Sequence, residues 1–125
     1  MNQQPLSGVT VITLAVNLPG PLAAARLASL GARVVKVEPP IGDPLSLYVS
    51  DYYKELADGQ EVVTIDLKSP EGVQQFDQLA KEADILLTAM RPKAAHALGI
   101  PDTVDKYGLV HVEIVGFAGD RADVP

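Results

Sequence analysis

Cysteine is absent from the 125 residues. Disulfides, thiolate metal sites and a cysteine nucleophile are excluded together, and a cysteine-free chain fits a reducing, cytoplasmic compartment. Positive charge is scarce: 10 basic against 16 acidic side chains leave a formal net charge of −6. Nucleic acid and anionic membrane both call for a basic face, so neither is expected as a partner. Aromatic residues make up 5%, which leaves little for base stacking. No apolar run approaches the ~20 residues that span a bilayer. The start, Met1-Asn2-Gln3-Gln4-Pro5, lacks the basic n-region and apolar h-region of a signal peptide. What the chain does have is an ordinary apolar share of 47%, enough to bury a core in one domain over 1–125.

Turn signals and β-branched runs alternate at short spacing. Residues 9–14 read as a buried strand, being short, β-branched and nearly all apolar. The loop Asn17-Leu18-Pro19-Gly20-Pro21 follows, and its second proline suits the first turn of a helix. Residues 21–30 are rich in Ala and Leu, small enough to lie close on a sheet, with Gly31 as the helix stop. A second strand, 34–38, ends at Pro39-Pro40. Residues 41–60 are the least regular stretch, with a short helix around 45–56. Further strands are expected at 62–67, 85–87 and 110–115. Ser69 and Pro70 suit the N-cap and N1 positions of a helix, with Glu71 at the positive end of its dipole. Val73, Phe76, Leu79, Ala80 and Ala83 keep helical spacing behind them. Short helices are expected at 92–98 and 101–107. Alternating strands and helices predict a Rossmann-like α/β fold, an open and mainly parallel sheet with flanking helices.

Ligands of such sheets bind beyond the carboxyl ends of the strands. A dinucleotide would want G-x-G-x-x-G in the first strand-to-helix loop, where this chain offers only Gly20 between two prolines that lack N–H donors. NAD, FAD and P-loop binding are therefore disfavoured, even with Glu38 ending the second strand. Pro19-Gly20-Pro21 reads first as a rigid connection. His96 and His111 have no H-x-x-x-H or H-E-x-x-H partner, so no metal site is expected. His111, inside a strand, reads as a hydrogen-bonded structural histidine. No G-x-S-x-G surrounds any serine. Asp120 and Asp123 lie in a Gly-containing polar tail and read as a solvated loop. Asp51-Tyr52-Tyr53-Lys54-Glu55 is either a recognition patch or a solvated helix face.

Taken jointly, the segments resemble the amino-terminal part of the family III CoA-transferases, the CaiB/BaiF type, which includes formyl-CoA and carnitine CoA-transferases and α-methylacyl-CoA racemase. The matching pieces begin with Leu6-Ser7-Gly8-Val9, Pro19-Gly20-Pro21 and the long run from Leu27-Ala28-Ser29-Leu30-Gly31 to Lys36-Val37-Glu38-Pro39-Pro40. Gly42-Asp43-Pro44, Ile65-Asp66-Leu67-Lys68-Ser69-Pro70 and Ala83-Asp84-Ile85-Leu86 come next. Arg91-Pro92, Leu98-Gly99 and Val115-Gly116-Phe117 complete a series that covers nearly the whole chain in the family's order.

The resemblance implies a domain that takes coenzyme A or an acyl-CoA as substrate, with no tightly bound cofactor, at its strand ends. It implies CoA contacts from Leu18 and Pro19 after the first strand, and Pro39 after the second. Ile65, Asp66, Leu67 and Lys68 follow the third strand, and Met90 and Arg91 the fourth. Lys68 and Arg91 are the candidates for phosphate pairing. Family members move CoA between carboxylic acids through an aspartate that forms a mixed anhydride and then an enzyme thioester; the racemase branch instead removes and returns an α-proton. That aspartate follows a Pro-Gly-Tyr-like segment in the family, beyond Val124-Pro125 here, so no catalytic residue is expected in this chain. The implied partners are the acyl-CoA, the carboxylic acid, and either a second copy, as in the interlocked family homodimer, or a complementary chain with the catalytic part. An exposed apolar face is expected where the rest of the family fold docks.

Three positions depart from the family pattern. Asn-Arg-Gly-Lys is replaced by Ala57-Asp58-Gly59-Gln60, Glu-Asn-Phe/Tyr by Thr88-Ala89-Met90, and a basic residue before Leu98-Gly99 by Ala97. The lost cations are expected to weaken attraction for CoA phosphates. They also keep open a second reading, a diverged non-catalytic binding or assembly domain.

Overall fold

A computed structural model of the chain describes residues 4–116 and 119–121. The β-branched runs form five short strands: β1 (Thr10–Thr13), β2 (Arg33–Glu38), β3 (Glu61–Thr64), β4 (Ile85–Thr88) and β5 (Val110–Glu113). All pair in parallel, in the order β3-β2-β1-β4-β5. Between them lie α1 (Pro19–Ser29), α2 (Leu45–Tyr48), α3 (Ser50–Ala57), α4 (Pro70–Lys81), α5 (Pro92–Ala97) and α6 (Ile100–Tyr107). The Rossmann-like α/β sheet expected from the alternation is what forms.

Period-two alternation divides the apolar residues between the two faces of the sheet. Val11, Val34 and Leu87 point to the face covered by α1, where the small side chains of Ala24 and Ala15 permit close approach. Ile12, Leu14, Val37 and Leu86 point to the other face and meet Phe76 of α4, Ala95 of α5 and Ile100 of α6. Ile12, Leu86 and Ile100 are at most 1% exposed, and a fully buried Ile or Leu contributes about 1.5–3 kcal/mol.

Element ends differ from the sequence expectation for local reasons. The strand expected at 62–67 stops at Thr64, which is level with Glu38. The Ile65 N–H still reaches the Glu38 carbonyl at 2.9 Å, but the residue placed to donate the next rung to β3 is Pro40, which has no N–H to carry the ladder on. Residues 65–67 thereby become a loop. The helix expected around 45–56 breaks at Val49 (φ −140°, ψ 72°) into α2 and α3. Helix α1 starts at Pro19, two residues early, and β5 stops at Glu113. Asp120 sits in a short 3-10 turn, Gly119–Arg121. Asp123, Phe117, 1–3 and 124–125 lie outside the described residues.

Ile41, Leu47 and Tyr48 are 88%, 78% and 81% exposed. Among the described residues no helix is long and apolar enough to cross a membrane.

Candidate functional site

The carboxyl ends of β1, β2, β3 and β4 surround a cleft of about 220 Å³. Leu14 and Val37 supply its floor from the strands. Val16, Pro39 and Pro40 form one wall, and residues 65–68 with Met90 and Leu98 form the other. The walls are mostly apolar, and Asp66 and Lys68 bring the charge. Six of the nine residues singled out from sequence share this lining: Pro39, Ile65, Asp66, Leu67, Lys68 and Met90. Leu18, Pro19 and Arg91 do not. Leu18 and Pro19 are exposed at the start of α1, and Arg91 is the exposed N-cap of α5.

A larger, more open groove of about 370 Å³ runs beside β3 and α4. Val63, Thr64 and Ile65 of the β3 end line it together with Gln75, Gln78, Leu79 and Glu82, without a cation. An anionic ligand finds nothing to pair with there.

The loop after β3 is built by local hydrogen bonds. Asp66 Oδ1 accepts the Lys68 N–H at 3.0 Å, an Asx turn. The Ser69 hydroxyl donates to the Asp66 carbonyl and accepts the Gly72 N–H, both at 3.0 Å, so it caps α4. Gly72 is required by space: a Cβ there would run into the Asp66 carbonyl. Lys68 is exposed and forms no ion pair among the described residues, so its ammonium is free for a ligand anion.

The loops after β1 and β2 are held differently. Gly20 lets α1 begin tightly against the end of β1, since a Cβ would collide with Ala15. Beneath the loops, on the sheet face away from the cleft, lies a buried ionic cluster. Lys36 Nζ is 2.5 Å from Asp43 Oδ2 and 3.6 Å from Glu38 Oε2. The Tyr53 hydroxyl donates to Glu38 Oε2 at 2.5 Å, and Lys36 lies 4.8 Å from the Tyr53 ring centre. Burial pushes the Asp43 carboxyl upward, but hydrogen bonds from Lys36, Asn17 and Leu45 outweigh it and hold the group below its ordinary value. Burial, reinforced by Glu38, pushes the Tyr53 hydroxyl up to about 12. Of the segment Asp51-Tyr52-Tyr53-Lys54-Glu55, Asp51, Lys54 and Glu55 are solvated while Tyr53 turns inward.

His111 lies on β5, its Nε2 2.9 Å from Thr88 Oγ1 and its Nδ1 3.4 Å from Glu113. This is the hydrogen-bonded strand histidine expected; His96 is exposed on α5. Among the described residues, no three His, Asp or Glu side chains group as a metal would need. The turn 57–60 enters β3 at its amino end. It is therefore separated from the cleft by the length of that strand.

Leu14, Val16, Val37, Pro40 and Leu98 line the cleft without having been singled out. Val37 sits in the expected strand 34–38, and Leu14 at the end of the expected strand 9–14, where period-two alternation is the signal that could have found them. Nothing local marked Val16 or Leu98 as neighbours of the third loop.

Strand order, sheet direction and a strand-end cleft define a Rossmann-like α/β protein with a candidate site where such folds place ligands. The model of CoA-transferase family III matches residues 6–124, and the chain belongs to that family. It is 33% identical to a probable fatty acyl-CoA transferase of Mycobacterium tuberculosis, over 94% of this chain and 33% of the relative. Identity to the (R)-2-hydroxy-4-methylpentanoate CoA-transferase of Clostridioides difficile is also 33%, over 96% of the chain and 34% of the relative. The crystal structure of a hypothetical protein from M. tuberculosis superposes with a TM-score of 0.90 at 32% identity, covering 99% of this chain and 38% of that one. The chain thus spans about a third of the length of the curated relatives it matches.

Proposed function

We propose that these residues form the amino-terminal, CoA-holding part of a family III CoA-transferase. The observation that carries this is the apolar cleft at the strand ends with Lys68, unpaired among the described residues, at its rim, in a chain of this family. Pockets for whole small ligands run to about 300–1,000 Å³. A cleft of 220 Å³ therefore suits one part of the cofactor-sized substrate, the adenine ring or the pantetheine arm, with phosphate against Lys68. Asp66, Leu67 and Met90 then supply backbone and apolar contact. Leu18, Pro19 and Arg91 stand outside the lining and take at most the distal parts of CoA.

The resemblance implies a carboxylate nucleophile that follows a Pro-Gly-Tyr-like segment, and no Pro-Gly-Tyr occurs in this sequence. On that ground we place the reactive aspartate outside these 125 residues, in the rest of the family fold or in a partner chain. Transfer of CoA between carboxylic acids, in the cytoplasm and within a homodimer, is the activity to which this part contributes.

Calorimetric or thermal-shift titration with CoA tests the reading. A ligand that binds only the folded state stabilises it by about 2.7 kcal/mol at a hundredfold excess over Kd. We expect saturable binding, weakened about tenfold by Lys68→Ala through loss of one exposed phosphate pair. No shift at millimolar CoA, or turnover by this chain alone, overturns the reading.

A further inference from the structure

We infer that Asp43 is a positioning residue that sets the width of the strand-end cleft, by tying the loop after β1 to the loop after β2 through one buried carboxylate. The inference rests on the cleft being the CoA site. Asp43 is 1% exposed. Its Oδ1 accepts the Asn17 N–H and the Leu45 N–H, each at 2.9 Å, while Oδ2 faces Lys36 at 2.5 Å. Asn17 directly follows Val16, and Asp43 comes shortly after Pro39 and Pro40. Those three residues make up one wall of the cleft.

Two observations separate positioning from contact. Alternation along β2 points Val37 into the cleft and sends Lys36 and Glu38 to the opposite face. The ionic cluster thus never meets a ligand and acts only through the backbone it holds. Asn17 also has φ +70°, the one left-handed non-glycine residue among those described. Asn adopts that conformation more readily than most residues, and the bond from its N–H to Asp43 fixes it there.

The division of labour between the two carboxylate oxygens gives a clean test. In Lys36→Met/Asp43→Asn the amide oxygen still accepts both N–H groups, while the buried cation and its counter-charge are gone together. In Lys36→Met/Asp43→Ala the charges are equally gone and the tether is lost as well. We expect the Asn double variant to hold CoA within about threefold of the unmodified chain, and the Ala double variant to bind at least about tenfold more weakly, as small misplacements of binding groups do. Backbone amide hydrogen exchange should show Asn17 protected in the first and open in the second. Equal CoA affinity of two folded double variants overturns the inference. If the unmodified chain itself binds no CoA, the CoA reading falls separately. Asn17 exchange then decides the tether: opening only in the Ala variant upholds it, and equal protection overturns it. Should the Ala variant not fold, Asn17 in the unmodified chain decides: protection matching that of Leu14 upholds the tether, and free exchange overturns it.

Discussion

The two walls of the cleft are held by opposite means. Residues 65–72 are fixed from within: an Asx turn at Asp66, a serine cap at Ser69 and a glycine at 72 that lets α4 close on the Asp66 carbonyl. The other wall is fixed from a distance. Asn17 and Asp43 are 26 positions apart, Glu38 and Tyr53 are 15 apart, and their partners are charges taken almost wholly out of water. A local wall is cheap to order, because its groups are already neighbours in the unfolded chain. A distant wall must repay both loop closure and desolvation. The first should therefore fail gradually and the second abruptly.

The largest effect expected follows from breaking the distant wall. Asp43→Ala leaves Lys36 buried with only Glu38, 3.6 Å away. Removing one partner of a buried pair typically costs 3–5 kcal/mol, and the remaining carboxylate argues for about 3. The acid limb carries the same information. Asp43 is held below its ordinary 3.8 in the fold, so its contribution is complete above that value and is lost as pH falls through the folded one. Denaturant midpoints should show a constant gap between the unmodified chain and Asp43→Ala from about pH 8 to 5, narrowing below about pH 4. A gap that widens in acid would show that the pair does not stabilise the fold.

The local wall should give less. Ser69→Ala removes the acceptor for the Gly72 N–H and the donor to the Asp66 carbonyl. Caps of this kind are worth about 1 kcal/mol. Urea unfolding should show a lower midpoint at unchanged slope, since the surface exposed on unfolding is the same. A loss as large as that of Asp43→Ala would erase the distinction between the walls.

That distinction also decides what could be read from the sequence. The β-branched runs, their parallel order and the Ser69-Pro70 helix start are encoded within short windows, where propensity and capping act. Six of the nine candidate residues fall in one lining because strand ends converge in any open α/β sheet. Leu18, Pro19 and Arg91 fall outside it because α1 begins two residues early and Arg91 turns out as an N-cap. The Lys36–Asp43–Glu38–Tyr53 cluster was illegible. Lys36 sits in a strand run and Tyr53 in a charged helix, and only the packing of α3 against the α1 side of the sheet brings them together. Spacing alone carried no ligand chemistry; the expectation of CoA came from the resemblance to the family.

The smallest effect expected isolates burial as the deciding variable. Arg33 and Glu61 meet in a two-pronged pair, Nε to Oε2 at 2.6 Å and Nη2 to Oε1 at 3.2 Å. That is nearly the distance of the Lys36–Asp43 contact. Both side chains of the surface pair, however, are 55% exposed, against 3% and 0% for the buried one. Water and salt screen the exposed charges, and two long side chains lose freedom on pairing. Arg33→Met should therefore leave the unfolding midpoint unmoved at physiological salt, and raising the salt should not separate it from the unmodified chain. A drop comparable to that of Asp43→Ala would mean that geometry alone sets the strength of an ion pair here. Lys36 would then lose its special standing, because its cost on breaking comes from having no water to return to.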